Sequence, residues 1–287
     1  MARPETLLAQ GPRFLFFKNQ NNQTSKSFDI ESLTGYHKKR DNNVGKSNLA
    51  IKIFGGVILG GLILVFIWFL FYNNEKRVNT KKETMPQVEI ILPQPDKTGQ
   101  TSLEEALSKR RSVRNYKDEP LNLKEISQIL WAAQGITAPE FGGRTTPSAG
   151  ALYPLEVYLV VKNANEIKAG VYQYRPASHK LTEVLPGDIS SQLARAALGQ
   201  MFIAEAPVNL VFSGVFSRTT SKYGDRGIQY VYMEVGHAAQ NVYLQAQSLG
   251  LATVVVGAFD DEEVKRMLNM SEEETPLYIM PVGKVMF

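Results

Sequence analysis

The chain of 287 residues contains no cysteine. This absence excludes disulfides, thiolate catalysis, cysteine-ligated metals and iron–sulfur clusters. Histidine is scarce as well, because only His37, His179 and His237 occur, and their separations do not match the spacing of metal ligands. We therefore expect no catalytic metal.

A large excess of charge is also missing. The formal net charge is +4 at pH 7, and the basic residues gather around one apolar segment and one short motif instead of forming a long stripe. A nucleic-acid partner is therefore not expected. The length allows one large domain, with a core sufficient for an enzyme, once the ends of the chain are set aside.

One long apolar segment is present. Every residue from Ile53 to Tyr72 is apolar, glycine or aromatic, and about twenty such residues are the length of a helix that crosses a bilayer. This segment predicts a single-pass membrane protein that contacts the lipid bilayer through residues 53–72. Basic residues flank the segment on both sides, so they do not indicate on which side of the membrane the rest of the chain would lie. A cleaved signal peptide is the alternative, which the length of the segment and the lack of an Ala-x-Ala pattern after it disfavour.

The rest of the chain divides by composition. We expect a polar, disordered tail over residues 1–48, a transmembrane helix over 49–72, a proline-containing linker over 73–100 and a folded domain over 101–287. Within the linker, residues 88–92 are a candidate short strand. In the domain, helical and strand patterns follow each other without strict alternation, which predicts an α+β layered architecture with a mixed central sheet flanked by helices.

Capping patterns mark several helices of the domain. Ser102 with Glu105 predicts a helix toward residue 109, and Asn122 with Glu125 predicts a longer one ahead of Gly135. A long helix is expected over residues 229–249. Its small residues allow close packing against other elements.

Three short polar clusters, far apart in the chain, carry matched chemistry: Arg110-Arg111-Ser112-Val113-Arg114, Thr146-Pro147-Ser148-Ala149-Gly150 and Gly283-Lys284. Guanidinium groups, a hydroxyl and a lysine suit the oxygens of a phosphate. The small residues of the second cluster let the backbone approach a flat ring and leave N–H groups free to donate. Together the clusters predict one site for a flavin that carries a ribityl phosphate.

At these motifs the chain resembles the FMN-dependent nitroreductase superfamily, in the branch of the SagB-type azoline dehydrogenases, which oxidise thiazoline and oxazoline rings in modified peptides. The resemblance covers roughly residues 101–284 and implies a nitroreductase-like layered domain. Its motifs are the first cluster, Pro147 to Pro154, Lys222-Tyr223-Gly224-Asp225-Arg226-Gly227, and Glu234-Val235-Gly236-His237-Ala238-Ala239-Gln240-Asn241.

The resemblance implies FMN as the cofactor and assigns residues to it. The cofactor-binding residues would be Arg110, Arg111, Ser112, Arg114, Pro147, Ser148, Ala149, Gly150, Asn241, Val256, Gly257, Gly283 and Lys284. Lys222 and Tyr223 would be catalytic, because this pair serves proton transfer at the ring being oxidised. Each motif also has a structural explanation: cations at a helix C-terminus, an ordinary loop before a strand, and a surface loop with a packed tyrosine.

The same resemblance implies a homodimer that builds each flavin site from two subunits, and a peptide or a small molecule as the substrate. The leading hypothesis is thus a membrane-tethered oxidoreductase that dehydrogenates an azoline-like ring. One alternative reverses the electron flow, with NAD(P)H reducing a nitro group or a quinone. A second alternative is an inactive, membrane-anchored binding protein that has kept the fold.

Overall fold

The computed structural model describes residues 66–69 and 88–286. The chain divides into two compact units, Met1–Thr80 and Lys81–Phe287. In the first unit the described residues, 66–69, are helical. The predicted tail over residues 1–48 and the predicted linker up to residue 87 lie outside the described residues.

No membrane-spanning helix is found in residues 66–69 and 88–286. A span needs roughly 30 Å of apolar helix, whereas four helical residues rise only about 6 Å. The 23-residue helix Arg226–Ser248 is long enough but carries Glu234, His237 and Asn241 in its middle. By this finding the predicted single-pass membrane localisation is wrong, and contact with a lipid bilayer has no support. Most of the predicted span, 53–65 and 70–72, lies outside the described residues.

Nine strands occur in residues 88–286. They are β1 (Glu89–Ile91), β2 (Ile136–Ala138), β3 (Gly143–Arg144), β4 (Leu155–Val161), β5 (Gly170–Arg175), β6 (Lys180–Pro186), β7 (Val208–Val215), β8 (Leu251–Thr253) and β9 (Glu274–Lys284). Seven of them form one sheet in the order β1-β6-β5-β4-β7-β9-β8, and β2 pairs with β3.

Every neighbouring pair in the large sheet is antiparallel. The prediction of a mixed sheet is therefore wrong, although the layered α+β architecture is confirmed. The apolar run of β4 results from burial on both faces of the sheet, and such burial is usual for parallel sheets but does not require them. In β7 all eight residues are buried. Strand direction therefore could not be deduced from the apolar pattern.

In the same described part of the chain, seven α-helices accompany the strands: α1 (Leu103–Lys109), α2 (Leu123–Gln134), α3 (Ser190–Ala196), α4 (Phe202–Glu205), α5 (Phe216–Tyr223), α6 (Arg226–Ser248) and α7 (Asp261–Met267). The predicted caps are confirmed. Ser102 accepts from the Glu105 amide at the start of α1, and Asn122 and Glu125 form a complete capping box at the start of α2.

The sheet lies between two helical layers. Along β4, Val157 and Leu159 belong to one apolar cluster together with residues of α2 and α6. Tyr158 and Val160 point the other way, into a second cluster with residues of α3, α4 and α7. This alternation follows from the two-residue repeat of a strand. The long helix α6 thereby lies on the first face of the sheet, where it positions most of the residues discussed below.

Residues 88–96, inside the predicted linker, pack onto this domain. Leu92 is buried, and β1 pairs with β6. The Pro93 carbonyl accepts hydrogen bonds from the Ser127 hydroxyl at 2.6 Å and from Nε2 of His179 at 2.9 Å. Nδ1 of His179 lies 2.8 Å from the Tyr174 hydroxyl. In the neutral imidazole with its proton on Nε2, Nδ1 accepts a hydrogen bond from this hydroxyl.

We expect the free energy of unfolding to fall as the pH falls below about 6.5, the ordinary pKa of histidine. Burial lowers the pKa of His179 in the folded chain, although its bond to Pro93 opposes the shift. The unfolded chain therefore takes up the proton first, and acid favours unfolding. Losing the bond from Tyr174 would cost about 1 kcal/mol. Urea midpoints at pH 7.5 and 5.5 would measure the change.

The matched comparison is the wild type with His179→Gln, which cannot titrate. The variant should lose less stability than the wild type between the two pH values. Equal losses in the two proteins would contradict the expected role of His179.

Candidate active site

The predicted site residues separate into two groups on opposite flanks of α6. Tyr243 contacts Arg110 and Ser112, whereas Glu234 lies beside the Ser148 hydroxyl. Nine residues separate Glu234 from Tyr243, which is about two and a half helical turns, so their side chains leave the helix in opposite directions. One chain therefore presents the cations and the Ser148 loop on different sides of the same helix.

The first group is called the cation cluster and consists of Arg110, Ser112 and Arg114. The Arg110 guanidinium lies 5.2 Å from the centroid of the Tyr243 ring, and the hydroxyls of Ser112 and Tyr243 are 2.9 Å apart. Arg114 lies over the ring of Phe202. In residues 88–286 neither guanidinium forms a salt bridge. Both are therefore available to an anion, which guanidinium groups can bind with two parallel hydrogen bonds.

Two other predicted cations already have partners in the chain. Nη1 of Arg111 donates to the carbonyls of Ser108 at 2.9 Å and Arg110 at 2.7 Å, where it satisfies carbonyls left open at the end of α1. Nζ of Lys284 is paired with the Glu125 carboxylate. Arg111 thus has the structural role described above for cations at a helix end. Lys284 could reach a phosphate only by leaving Glu125.

The predicted glycines near the sheet edge differ in their surroundings. A Cβ added at Gly283 would lie 2.9 Å from side-chain atoms of both Pro207 and Tyr116, so packing alone requires glycine there. Val256 is buried, but Gly257 is exposed. The Cβ built at Gly257 meets Tyr278 only at 3.6 Å, an ordinary contact. Gly257 therefore leaves backbone accessible to a ligand.

The second group contains the loop of residues 147–153, here called the site loop. Pro147 is exposed, and Ala149 begins a short 3₁₀ turn. Gly150, Ala151 and Tyr153 have φ values of 63°, 56° and 45°, in the left-handed region that costs an L-residue about 1 kcal/mol or more. Such strain persists only where the surroundings enforce it, and it is concentrated at functional sites.

Hydrogen bonds hold the site loop in this conformation. The Ser148 hydroxyl accepts from the Tyr153 amide at 2.9 Å, and Nη1 of Arg218 donates to the Tyr153 carbonyl at 3.1 Å. Just before the loop, Asn241 donates to the Thr146 hydroxyl at 3.1 Å. Asn241, predicted to bind the cofactor, therefore supports the entry to the site loop.

Lys222 and Tyr223 lie directly against this loop, at the end of α5. A Cβ built at Gly150 would be 2.7 Å from the Tyr223 hydroxyl and 2.9 Å from Nζ of Lys222. The Tyr223 ring packs edge-on against Tyr230 at 5.1 Å. The structure thus brings together two sequence predictions made separately, the ring-binding loop and the proton-transfer pair.

A buried carboxylate lies beneath the site loop. Glu234 is 2 % exposed, and among the described residues neither of its carboxylate oxygens makes a hydrogen bond. Burial raises the pKa of Glu234 to about 7, although the Ser148 hydroxyl and Arg144 both act to lower it. Sequence reasoning assigned no role to Glu234 or Arg144. The available signal was an acidic residue among the core positions Val231 and Val235.

A cavity of about 810 Å³ lies between α1, α2, the second half of α6 and residues 96–101. Thr145 and Asn241 line it, but Arg110, Ser148 and Lys284 do not. The predicted convergence of these three residues on one cavity is therefore not seen within a single chain. Their separation across α6 is the physical reason.

The Nitroreductase family model matches residues 107–284. A protein of Methanocaldococcus jannaschii that carries a nitroreductase name is 51% identical over 197 residues, which are 69% of this chain and 96% of that protein. The Escherichia coli microcin B17-processing protein McbC is 31% identical over 171 residues, 58% of this chain and 63% of McbC. This chain thus spans less than two thirds of McbC.

Solved structures agree with these relatives. A nitroreductase-type protein from Ralstonia eutropha JMP134 aligns with a TM-score of 0.62 at 31% identity, covering 69% of this chain and 90% of that one. The E. coli microcin synthetase McbBCD complex, with truncated pro-MccB17 bound, aligns with a TM-score of 0.54 at 27% identity. The alignment covers 74% of this chain and 81% of the matched chain.

The family match and the fold define an oxidoreductase that works with a flavin. The chain belongs to the nitroreductase family, which confirms the family that its motifs resemble, and the matches to McbC and its complex support the SagB-type branch.

Proposed function

We propose that this protein is a homodimeric, FMN-dependent dehydrogenase that oxidises an azoline-like ring in a peptide or small molecule. The observation that carries the proposal is the position of Lys222 and Tyr223 against Gly150 of the site loop. That contact places two groups able to move protons beside the backbone proposed to hold the flavin. The likeness to McbC, and to a synthetase complex with a pro-peptide bound, favours a peptide substrate.

The two flanks of α6 support the proposed homodimer. The face of the helix between them exposes Met233 at 51 %, exposes His237, and has nothing within 4 Å of a Cβ built at Gly236. Two copies that pair through this face are related by a twofold axis. Such pairing can bring the cation cluster of one subunit to the site loop of the other, which a single chain cannot do.

The residues of the two groups fit FMN. Arg110, Ser112 and Arg114 would hold the terminal phosphate, with charge-assisted bonds from the guanidinium groups. Gly257 and the small residues of the site loop would lie along the flat ring. When bound, the flavin supplies the acceptor for a hydride. The described residues hold no alternative metal cluster of three or more carboxylates or histidines.

Oxidation of an azoline ring removes a hydride from one carbon and a proton from its neighbour, and a double bond forms between them. The two electrons leave with the hydride. The chain must therefore supply a base for the proton, within hydrogen-bond reach of the ring. Lys222 and Tyr223 lie where a substrate stacked over the site loop would present that proton.

The second candidate is an NAD(P)H-dependent reductase of nitro groups or quinones. The name carried by the relative that is 51% identical favours it. This reaction needs the same flavin site but no base for a ring proton. The two functions therefore differ in their demand on Lys222.

Purified protein should be yellow, and Lys222→Ala should separate the two functions. Because a positioned base contributes about 10²- to 10⁴-fold, azoline oxidation should fall by at least about a hundredfold. Nitro or quinone reduction should largely survive. Flavin absorbance and the rates with an azoline peptide and with a nitroaromatic plus NADPH would measure these effects.

Lys168→Ala is the matched control, because Lys168 is exposed ahead of β5, away from the site loop. That variant should keep both rates. Colourless protein that takes up no added FMN would contradict the flavin assignment, and wild-type azoline oxidation by Lys222→Ala would contradict the role of the lysine.

A further inference from the structure

Glu234 remains without a role in the proposed reaction, although its position is unusual. Its side chain is buried on the α6 flank under the site loop, and within the described part of the chain neither carboxylate oxygen has a hydrogen-bond partner. A buried polar group without partners is costly and rare in native proteins. The Ser148 hydroxyl and Arg144 are the polar groups that act on the charge of this carboxylate.

The Ser148 hydroxyl has one hydrogen to donate and two positions at which it can accept. The Tyr153 amide occupies one of the accepting positions, at 2.9 Å. One accepting position and the hydroxyl hydrogen remain. The hydroxyl can therefore either donate to Glu234 or accept from it, and only the second arrangement leaves its hydrogen free.

We propose that Glu234 is a positioning residue whose protonation state decides where Ser148 directs its hydrogen. A protonated Glu234 donates to Ser148, and the serine hydrogen then points out of the site loop toward the polar edge of a flavin ring. An ionised Glu234 accepts that hydrogen and withdraws the donor from the site. This inference rests on the proposed flavin site and adds control of cofactor binding by a buried acid.

The electrostatic surroundings allow both states near neutrality, because burial raises the pKa of Glu234 to about 7. The charged group that acts on it directly is Arg144 of β3, whose guanidinium also lies 4.4 Å from the Tyr153 ring centroid.

Other charges near this cluster are paired or lie across the loop. Nη2 of Arg218 from α5 is 2.6 Å from the Glu156 carboxylate of β4. Lys222 and Tyr223 face Gly150. From α2, the neutral Gln134 accepts from Arg144 at 2.9 Å. Arg144 is therefore the charged group whose loss would favour the protonated acid.

The proposal predicts the sign of a pH effect. Flavin binds better to the protonated state, so affinity should fall as the pH rises through about 7. Loss of one hydrogen bond corresponds to about five- to tenfold in affinity. Reciprocally, flavin binding must favour proton uptake by the protein.

The test titrates flavin-stripped full-length protein with riboflavin, followed by quenching of flavin fluorescence, from pH 5.5 to 8.5. Riboflavin lacks the phosphate, whose own titration would otherwise overlap. The wild-type dissociation constant should rise about five- to tenfold across the range. Glu234→Gln keeps an N–H donor and should bind with the low-pH affinity throughout. Ser148→Ala should bind weakly at every pH.

Equal pH profiles in the wild type and Glu234→Gln would overturn this inference but leave the flavin site intact. Absence of binding at any pH, with FMN as well as riboflavin, would instead contradict the proposed function. If Glu234→Gln fails to fold, a measurement of proton uptake by the wild type tests the inference instead. Calorimetry at pH 7.5 in buffers of different ionisation enthalpy should show uptake on riboflavin binding, and its absence would overturn the inference.

Discussion

Gly150→Ala should lower azoline oxidation by about a hundredfold while the domain remains folded. The new methyl group would be built 2.7 Å from the Tyr223 hydroxyl and 2.9 Å from Nζ of Lys222, which is closer than carbon contacts allow. Both atoms end flexible side chains, so these ends should move and the backbone should not. A misplacement of about 1 Å at reacting groups can cost about a hundredfold in rate.

Backbone strain is the competing explanation for such a loss, since Gly150 has a φ of 63°. Gly142→Ala is the matched control. Gly142 has a φ of 70°, but a Cβ there has nothing within 4 Å. Both variants should lose about 1 kcal/mol of folding free energy, measured by urea unfolding. Only Gly150→Ala should lose the rate, and equal rate losses would show that the contact with Lys222 and Tyr223 is not the cause.

Two inactive variants should restore each other when they form mixed dimers. Lys222→Ala removes the base beside the site loop, and Arg110→Ala/Arg114→Ala removes the cation cluster. In a mixed dimer, one site combines the intact cations of the first subunit with the intact lysine of the second. The other site carries both defects. Random pairing of equal amounts should therefore recover about a quarter of the wild-type rate.

Co-expression of the two variants in equal amounts would give this random mixture for assay, and a different affinity tag on each variant would verify that mixed dimers form. The control pairs Lys222→Ala with Gly150→Ala, which both damage the loop group and should recover nothing. If each site were formed within one chain, the first pair would recover nothing either. The experiment thus tests the division of the site across α6. It needs only one azoline peptide that the wild type turns over, and this need not be the physiological substrate.

Local chemistry made much of the fold predictable. The caps at Ser102 and Asn122 depend on contacts three residues apart, and the structure confirms both. The long helix α6 also follows from a local pattern. Strand direction does not, because a strand covered on both faces has the same apolar run in either orientation. The predicted mixed sheet failed for that reason.

The candidate site was less predictable, since its contacts join distant parts of the chain. Ser112 and Tyr243, whose hydroxyls meet, are 131 residues apart. Motifs indicated Arg110, Ser148 and Lys222, but only three-dimensional packing shows that α6 separates the first from the other two. The same packing gives Lys284 a carboxylate partner, Glu125, that no spacing rule suggested. Side-chain roles that depend on such pairings cannot be deduced from the sequence alone.

The two edges of the large sheet restrict how copies of this chain can associate. Each edge is a strand of only three residues, β1 or β8. At the β8 edge the Val113 amide already donates to the Thr253 carbonyl at 3.0 Å. Short and covered edges give little opportunity for one sheet to extend into another. Self-recognition is thereby directed away from strand addition and toward helical surfaces, which also limits aggregation through the backbone.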